Sequence, residues 1–310
     1  GRLREIYPQD DRKIPFISKM NRPGSTSPHR IVSYRPGRRV VIDTESCGQD
    51  TMIKAYRKRN TSKAKEKYAI ALSAAGRGGF DIPALLDVDL AGEYIIMEKR
   101  AGRTLKISPA TNHTWRDIGV FLRQFQGGST IDGLNEFTPV DELAVLDERA
   151  RRFCLCLPEL PEGWVGGRER LKDLLASLPP PTYGLAHRDL HDRQLIVGSH
   201  TISLLDFDLL CIADVALDSA NLLAHMKLRI MQAVKPGTSA LRACREGFLQ
   251  GLDRQDETGF EYRRRFYEAS TFLRLALLYA LRPGWSHLTP GLIAEGQSRL
   301  DDLETSRAGL

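Results

Sequence analysis

The residues best placed to do chemistry in this chain lie between Gly184 and Met226, in the run GLAHRDLHDRQLIVGSHTISLLDFDLLCIADVALDSANLLAHM. A short apolar, strand-like entry from Tyr183 to Ala186 leads into His187-Arg188-Asp189, and a side-chain amide, Gln194, follows five residues after Asp189. Two β-rich runs hinged at Gly198-Ser199-His200 come next, the second ending on Asp206. A loop carboxylate, an amide and a strand-end carboxylate in this order suit phosphoryl transfer. That reaction asks the protein to orient and deprotonate an acceptor hydroxyl and to hold Mg²⁺ across the phosphate oxygens. Asp189 suits the first task. Asp206 suits the second with Gln194 as a neutral oxygen ligand, because Mg²⁺ prefers hard oxygen donors and keeps several waters.

On these residues the chain resembles the aminoglycoside phosphotransferase family and the choline-kinase-like small-molecule kinases related to it. The pattern of that family is a His-x-Asp loop with an amide five residues on, a hydrophobic-Asp-aromatic-acid strand end, and a following helix with a further Asp. Here those parts are His187-Arg188-Asp189 with Gln194, Leu205-Asp206-Phe207-Asp208, and Asp218. Asp208 itself reads as a solvated strand-end acid, with a second metal ligand as the alternative. The resemblance implies an α+β, two-lobed protein-kinase-like fold: a small N-lobe of antiparallel sheet plus one helix, and a larger, mainly helical C-lobe. It also implies that Asp218 braces the catalytic loop's backbone. The family usually has Asn where this chain has Gln194, and a first C-lobe helix ending in Leu-His where this chain has Phe125-Gln126.

A chance match of common residues is the competing explanation, and the rest of the chain offers a test of it. VVIDTESCGQDTMIKAYRK reads as two strands around a Gly48-containing turn, with Lys54 between apolar Ile53 and Ala55. In the resembling family this lysine holds the nucleotide's α- and β-phosphates and is positioned by an ion pair. TSKAKEKYAIALSAAG has a helix's signals, with Thr61 or Ser62 as N-cap and Gly76 as stop. Glu66, the only acid between Asp50 and Asp81, is by elimination the expected partner of Lys54. The apolar run Tyr94 to Met97 followed by Glu98, Lys99 and Arg100 corresponds to the interlobe hinge, placed at about 98–105, with residues 1–98 before it and 99–310 after it. There the nucleotide's base would meet backbone groups around Glu98 to Arg100, with Met97 lining the pocket. No Gly-x-Gly precedes Lys54; the Pro36-Gly37 turn, rather than Arg22 to Ser27, is the expected phosphate-covering loop, and a plain hairpin turn is its rival.

The remainder reads as helical over 114–126, 141–155, 167–177, 217–234, 239–252, 257–281 and 290–305, with a capping-box-like Thr114/Asp117 opening the first. Asp141, Glu142, Asp147, Glu148, Glu159 and Glu162 precede the catalytic loop and are candidates to meet an acceptor, although acid near helix starts is commonly a dipole device. At 310 residues and 42% hydrophobic content the chain can bury a large core. No apolar run is long enough to span a bilayer and no signal-peptide start is present, which leads to the expectation of a soluble, cytoplasmic protein with no membrane partner. Five scattered cysteines without zinc or Cys-x-x-Cys spacing are expected as free buried thiols, with Cys154 and Cys156 one in and one out of a helix.

Charge is uneven. Residues 1–106 carry 22 Lys and Arg against 12 Asp and Glu, whereas 107–310 carry 23 against 27. A basic first part suits a polyanionic nucleotide, and no nucleic-acid-binding signature accompanies it. The expected activity is therefore transfer of phosphate from ATP, with GTP open, to a hydroxyl of a small molecule of aminoglycoside, sugar or amino-alcohol type, with Mg²⁺. Two alternatives stand beside it. A protein kinase would share His-Arg-Asp but would have Asp-Phe-Gly and Ala-Pro-Glu, which are absent; a catalytically silent nucleotide-binding protein would account for Gln194 and the missing glycine loop.

Overall fold

The structure is a computed structural model and describes residues 8–20, 29–46, 49–78, 80–104, 107, 111–127, 133–199, 201–233, 237–254 and 257–308. The Gly48 turn, the Arg22 to Ser27 stretch and His200 of the expected hinge lie outside the described residues. The fold is α+β, with the antiparallel sheet and the many helices that were expected. The chain forms two compact units, 1–103 with 196–208 and 104–195 with 209–310. The run 196–208 thus groups with the first unit, which a single boundary near residue 98 does not anticipate.

The first unit opens with a short helix, α1 (Pro15–Met20), and is built on five strands: β1 (His29–Arg35), β2 (Arg39–Ser46), β3 (Gln49–Tyr56), β4 (Leu85–Asp89) and β5 (Tyr94–Glu98). All are antiparallel, in the order β1-β2-β3-β5-β4. Alternation drives the sheet: Val40, Ile42 and Ala55 are buried and pack with Ile14 and Ile17. One helix follows β3, α2 (Thr61–Gly78), whose Ala64, Tyr68, Ala71 and Ala75 recur every three or four residues and are buried. Glu93 holds its entry by accepting from the Arg59 N–H (2.7 Å) and the Thr61 hydroxyl (2.8 Å). The returning run supplies a small hairpin, β8 (Leu195–Val197) with β9 (Ile202–Leu204).

The second unit is mainly helical: α3 (Asn112–Gln126), α4 (Pro139–Cys154), α5 (Trp164–Leu174), α6 (Ala216–Gln232), α7 (Thr238–Leu252), α8 (Phe260–Ala280) and α9 (Thr289–Ala308). A three-stranded sheet joins them, with β10 (Cys211–Asp214) between β6 (Glu136–Phe137) and β7 (Tyr183–Ala186). Every expected helix forms, with ends displaced by a few residues. The expected Thr114/Asp117 box does not form, since α3 has already begun at Asn112; the capping box belongs to Thr138 and Asp141 at the start of α4. Gly119 and Gly251 let α3 and α7 meet backbone to backbone: a Cβ on Gly251 would collide with the Arg116 carbonyl, and one on Gly119 with that of Phe248. Gln126, at the end of α3, is buried and donates to the Val215 carbonyl at 2.8 Å. Cys211 and Cys244 are buried; Cys154 ends α4 and Cys156 lies beyond it, one in and one out of the helix as expected, but both are exposed rather than buried. Among the described residues no helix is long and apolar enough to cross a membrane.

Candidate active site

In the first unit, strand register puts Arg39 opposite Tyr56 and Val41 opposite Lys54, so Arg39, Lys54 and Tyr56 emerge on one face. That face meets the end of the returning run. Lys54, only 4% exposed, places its Nζ 2.7 Å from Asp206 Oδ1 and 2.6 Å from Asp208 Oδ1. Arg39 grips Asp206 with both terminal nitrogens, at 2.9 and 2.7 Å, and pairs with Asp208 as well. The Tyr56 hydroxyl donates to Asp208 at 3.0 Å, and Lys67 Nζ caps the Asp208 carbonyl at 2.9 Å. Two cations face two carboxylates in a closed quartet. Burial pushes the Asp206 carboxyl up, but Lys54 and then Arg39 outweigh it and hold the group well below the usual carboxylate range. Asp206 also has φ +68, a strained value for a residue with a Cβ.

This quartet corrects two expectations. Glu66 is not the partner of Lys54: it is exposed on α2 and accepts from the Ser62 hydroxyl at 3.2 Å. Asp208, read as a solvated strand-end acid, belongs to the cluster. Arg39 was missed, although its place two residues before Val41, on the strand beside Lys54, is legible once a second acid needs a second cation. The Pro36-Gly37 turn joins β1 and β2 as expected, with Gly37 at φ +66. Its N–H groups are taken, however: Gly37 donates to Asp11 Oδ2 at 2.5 Å and Arg38 to the Arg35 carbonyl at 3.0 Å, so it is a closed hairpin turn. Asp11 also accepts from the Tyr34 hydroxyl at 2.9 Å.

At the expected hinge, Met97 is half-buried on β5 and the side chains of Glu98 and Arg100 matter more than expected. Arg100 donates to Glu98 (2.7 Å), to Asp81 (2.5 Å) and to the Ile82 carbonyl (2.8 Å). The Glu98 N–H is spent on the Ala84 carbonyl at 2.9 Å. Side chains here tie down the segment that leaves the sheet.

In the second unit the His187-Arg188-Asp189 loop leaves β7, and α6 holds its backbone. Asp218, fully buried, accepts from the His187 N–H at 2.7 Å and the Arg188 N–H at 2.8 Å, the bracing role the resemblance implies. Asn221 donates to the Arg188 carbonyl at 3.1 Å. These three bonds clamp Arg188 at φ +67, and its guanidinium lies 3.5 Å over the Phe137 ring. Asp189 follows, half-buried. His191 Nδ1 accepts from the Arg193 N–H at 3.1 Å, and Gln194 closes the 3₁₀ turn that begins at Asp192, half-buried itself. Asp192 is gripped by Arg229 Nε at 3.0 and 2.9 Å. Four of the six acids before the loop have structural partners: Asp141 caps α4, Asp147 pairs with Arg168, Glu148 with Arg152, and Glu142 accepts from Ser270; Glu159 and Glu162 are exposed.

A buried Asp bracing a His-Arg-Asp turn and a strained, cation-bound strand-end Asp are the parts in question, and comparison with known proteins says whose they are. The profile of the phosphotransferase enzyme family matches residues 36–265. The chain belongs to that family. No curated protein sequence matches it. Among solved structures, this phosphotransferase is similar to a choline/ethanolamine kinase family protein from Mesorhizobium loti, at 19% identity over 95% of this chain and 93% of that one, with a TM-score of 0.63. It is similar to choline kinase LicA from Streptococcus pneumoniae, at 13% identity over 89% and 93%, TM-score 0.63. An amicoumacin kinase in complex with AMP-PNP, Ca²⁺ and Ami matches at 14% identity over 87% and 88%, TM-score 0.64. At these identities the likeness is one of fold, and the fold is protein-kinase-like.

Proposed function

We propose that this phosphotransferase moves the γ-phosphate of ATP to a hydroxyl of a small molecule of aminoglycoside, sugar or amino-alcohol type, as an Mg²⁺-dependent enzyme. The observation that carries the reading is the catalytic loop itself: three side-chain bonds from one helix hold Arg188 in a strained conformation and so fix where Asp189 begins. Backbone fixed at that cost serves positioning. Asp189 would orient the acceptor hydroxyl and take its proton. Lys54 would hold nucleotide phosphate, which calls for a cation already poised by carboxylates. Met97, Glu98 and Arg100 mark the segment whose backbone would receive the base; since the Glu98 N–H is taken, Lys99 and Arg100 would supply the donors.

The donor set fits a hard cation. Asp206 is held ionised and Gln194 offers a neutral oxygen, so these two would be the Mg²⁺ ligands. When bound, Mg²⁺ supplies neutralisation of the phosphate charge. Glu66, exposed and bonded to Ser62, is left without a part in nucleotide binding.

A second reading, a catalytically silent nucleotide-binding protein, draws support from the quartet, in which Arg39 and Lys54 already satisfy both oxygens of Asp206. One experiment separates the two. Acceptor-stimulated ADP release is measured with Mg·ATP and with Mg·GTP across aminoglycosides, sugars and amino-alcohols, beside Asp189→Asn and Asp206→Ala. Phosphotransfer predicts turnover that falls about 10²–10⁴-fold in Asp189→Asn. Nucleotide binding by thermal shift without turnover on any acceptor would establish the silent reading instead.

A further inference from the structure

We infer that the second unit carries an anion-binding pocket among α6, α7, α8 and α9, formed by Arg245, Arg264 and Arg299, that takes a phosphate group. Binding there does not depend on phosphotransfer, because the pocket lies apart from the His187-Arg188-Asp189 loop.

Helix α6 separates the two. Asp218, Asn221, His225 and Arg229 are spaced by three or four residues and share one face, which serves the loop: Asp218 and Asn221 bond the backbone of His187 and Arg188, His225 lies 4.9 Å from the His191 ring, and Arg229 pairs with Asp192. Leu223 and Lys227 fall on the opposite face and line a cavity of about 230 Å³. Arg245 of α7, Arg264 and Arg265 of α8 and Arg299 of α9 extend its wall.

Glu268, wholly buried on α8, is the carboxylate on which these arginines converge. Arg245 Nη2 donates to its Oε1 at 3.2 Å and Arg299 Nε to its Oε2 at 2.8 Å, and Arg264 pairs with it as well. Three guanidinium groups thus share one carboxylate. The neighbouring acids do not close the difference. Glu261 is divided between Arg264 and Arg265, at 2.9 and 3.0 Å. Glu295 is divided between Lys227 at 2.8 Å and Arg299 at 3.6 Å, and Asp302 stands 3.8 Å from Arg265. Five cations therefore face four carboxylates among the described residues, and one of the cations, Arg264, is 1% exposed. Positive charge left over in an enclosed place is costly unless an anion completes it. The same surplus acts on the groups themselves: burial and then Arg299 push the Arg245 guanidinium down to about 10, and burial does the same to Arg264 against the pull of Glu261.

The donors narrow the ligand. Arg245 spends Nη2 on Glu268, and the rest of its N–H fork has no acceptor among the described residues. Such a fork matches phosphate in a bidentate manner. The cavity is smaller than the roughly 300–1,000 Å³ of pockets that take drug-sized ligands, so it suits inorganic phosphate or a short phosphomonoester.

The test is equilibrium dialysis of the full chain against radiolabelled inorganic phosphate, at constant ionic strength in potassium chloride and without nucleotide. Saturable uptake is expected. Arg245→Gln leaves Glu268 with Arg264 and Arg299, so no buried carboxylate is stranded, and it should weaken uptake about tenfold or more, as for a lost charge-assisted bond. Arg151→Gln removes an equal charge from the surface of α4 while Glu148 keeps Arg152, and it should leave uptake unchanged. Unlabelled glycerol phosphate displaces the label if the pocket admits a phosphomonoester; failure to displace it assigns the pocket to inorganic phosphate. Absence of saturable uptake at millimolar phosphate overturns the site. Uptake that Arg245→Gln leaves intact overturns it too, since the phosphate is then held elsewhere, and so does equal weakening by Arg151→Gln, which reports bulk charge. Should Arg245→Gln fail to fold, Lys227→Gln reads the same wall from a side chain that is 32% exposed, with loss or retention of uptake carrying the same meaning.

Discussion

Lys54 and Arg39 are cations whose carboxylate partners among the described residues, Asp206 and Asp208, lie 152 to 169 residues further on, and that distance is why elimination within 50–81 picked Glu66. The family resemblance implied a paired Lys54 and an Asp218 that braces the loop's backbone, and the hydrogen bonds of both residues agree with it. Arg39 and Asp208 were illegible: each looks solvated in its own segment and becomes a partner only when strands and returning run come together. Removing one member of such a cluster strands a buried charge. Asp206→Asn is therefore expected to lower unfolding free energy by about 3 kcal/mol, measured by urea denaturation. Its pH signature is also fixed in sign: a depressed carboxylate contributes above its unfolded pKa and loses that contribution only as pH falls towards the depressed value. His225 behaves oppositely to a paired histidine. Its pKa is lowered in the folded state, so the unfolded chain binds the extra proton and stability falls as pH drops below the ordinary histidine value. The melting temperature should decline between about pH 6.5 and pH 5, and His225→Gln should flatten that slope.

At the scale of elements, periodicity was a sound guide. Ala64, Tyr68 and Ala71 mark the buried stripe of α2, and Val40 and Ile42 the buried face of β2, each in the repeat that its backbone imposes. Boundaries were less legible, because a Thr with an acid three residues on occurs both inside α3 and at the true start of α4, and only hydrogen bonding distinguishes them. The pairing of α3 with α7 was not readable at all. It depends on two glycines, Gly119 and Gly251, that lie far apart in sequence and whose small size matters only when the helices touch. Gly251→Ala should force the helices apart and cost about 1–3 kcal/mol, whereas Gly166→Ala, where an added Cβ meets nothing within 4 Å, should be neutral or mildly stabilising. Paired thermal melts of the two variants check both directions.

For the whole molecule, composition anticipated a chain with a large core, and the charge split between 1–106 and 107–310 anticipated a basic first part. Neither anticipated that the bulk charge of a part can mislead about a place within it: the second part carries more acid than base, yet the turn after His187-Arg188-Asp189 is held through Asp192 by Arg229. The chain leaves the first unit after Arg103 and returns to it for 196–208. A fragment ending at residue 103 would keep every strand of the five-stranded sheet but lose both carboxylates that neutralise Lys54 and Arg39. Such a fragment is expected to lack cooperative unfolding by circular dichroism. The same path bears on descent. A single crossover between two related genes exchanges contiguous stretches, and none transplants the first unit whole without also carrying off the loop that bears Asp189. The sheet lysine and the returning aspartates must then be inherited as one block, or drift together, whereas the helices after residue 209 can be exchanged without parting them.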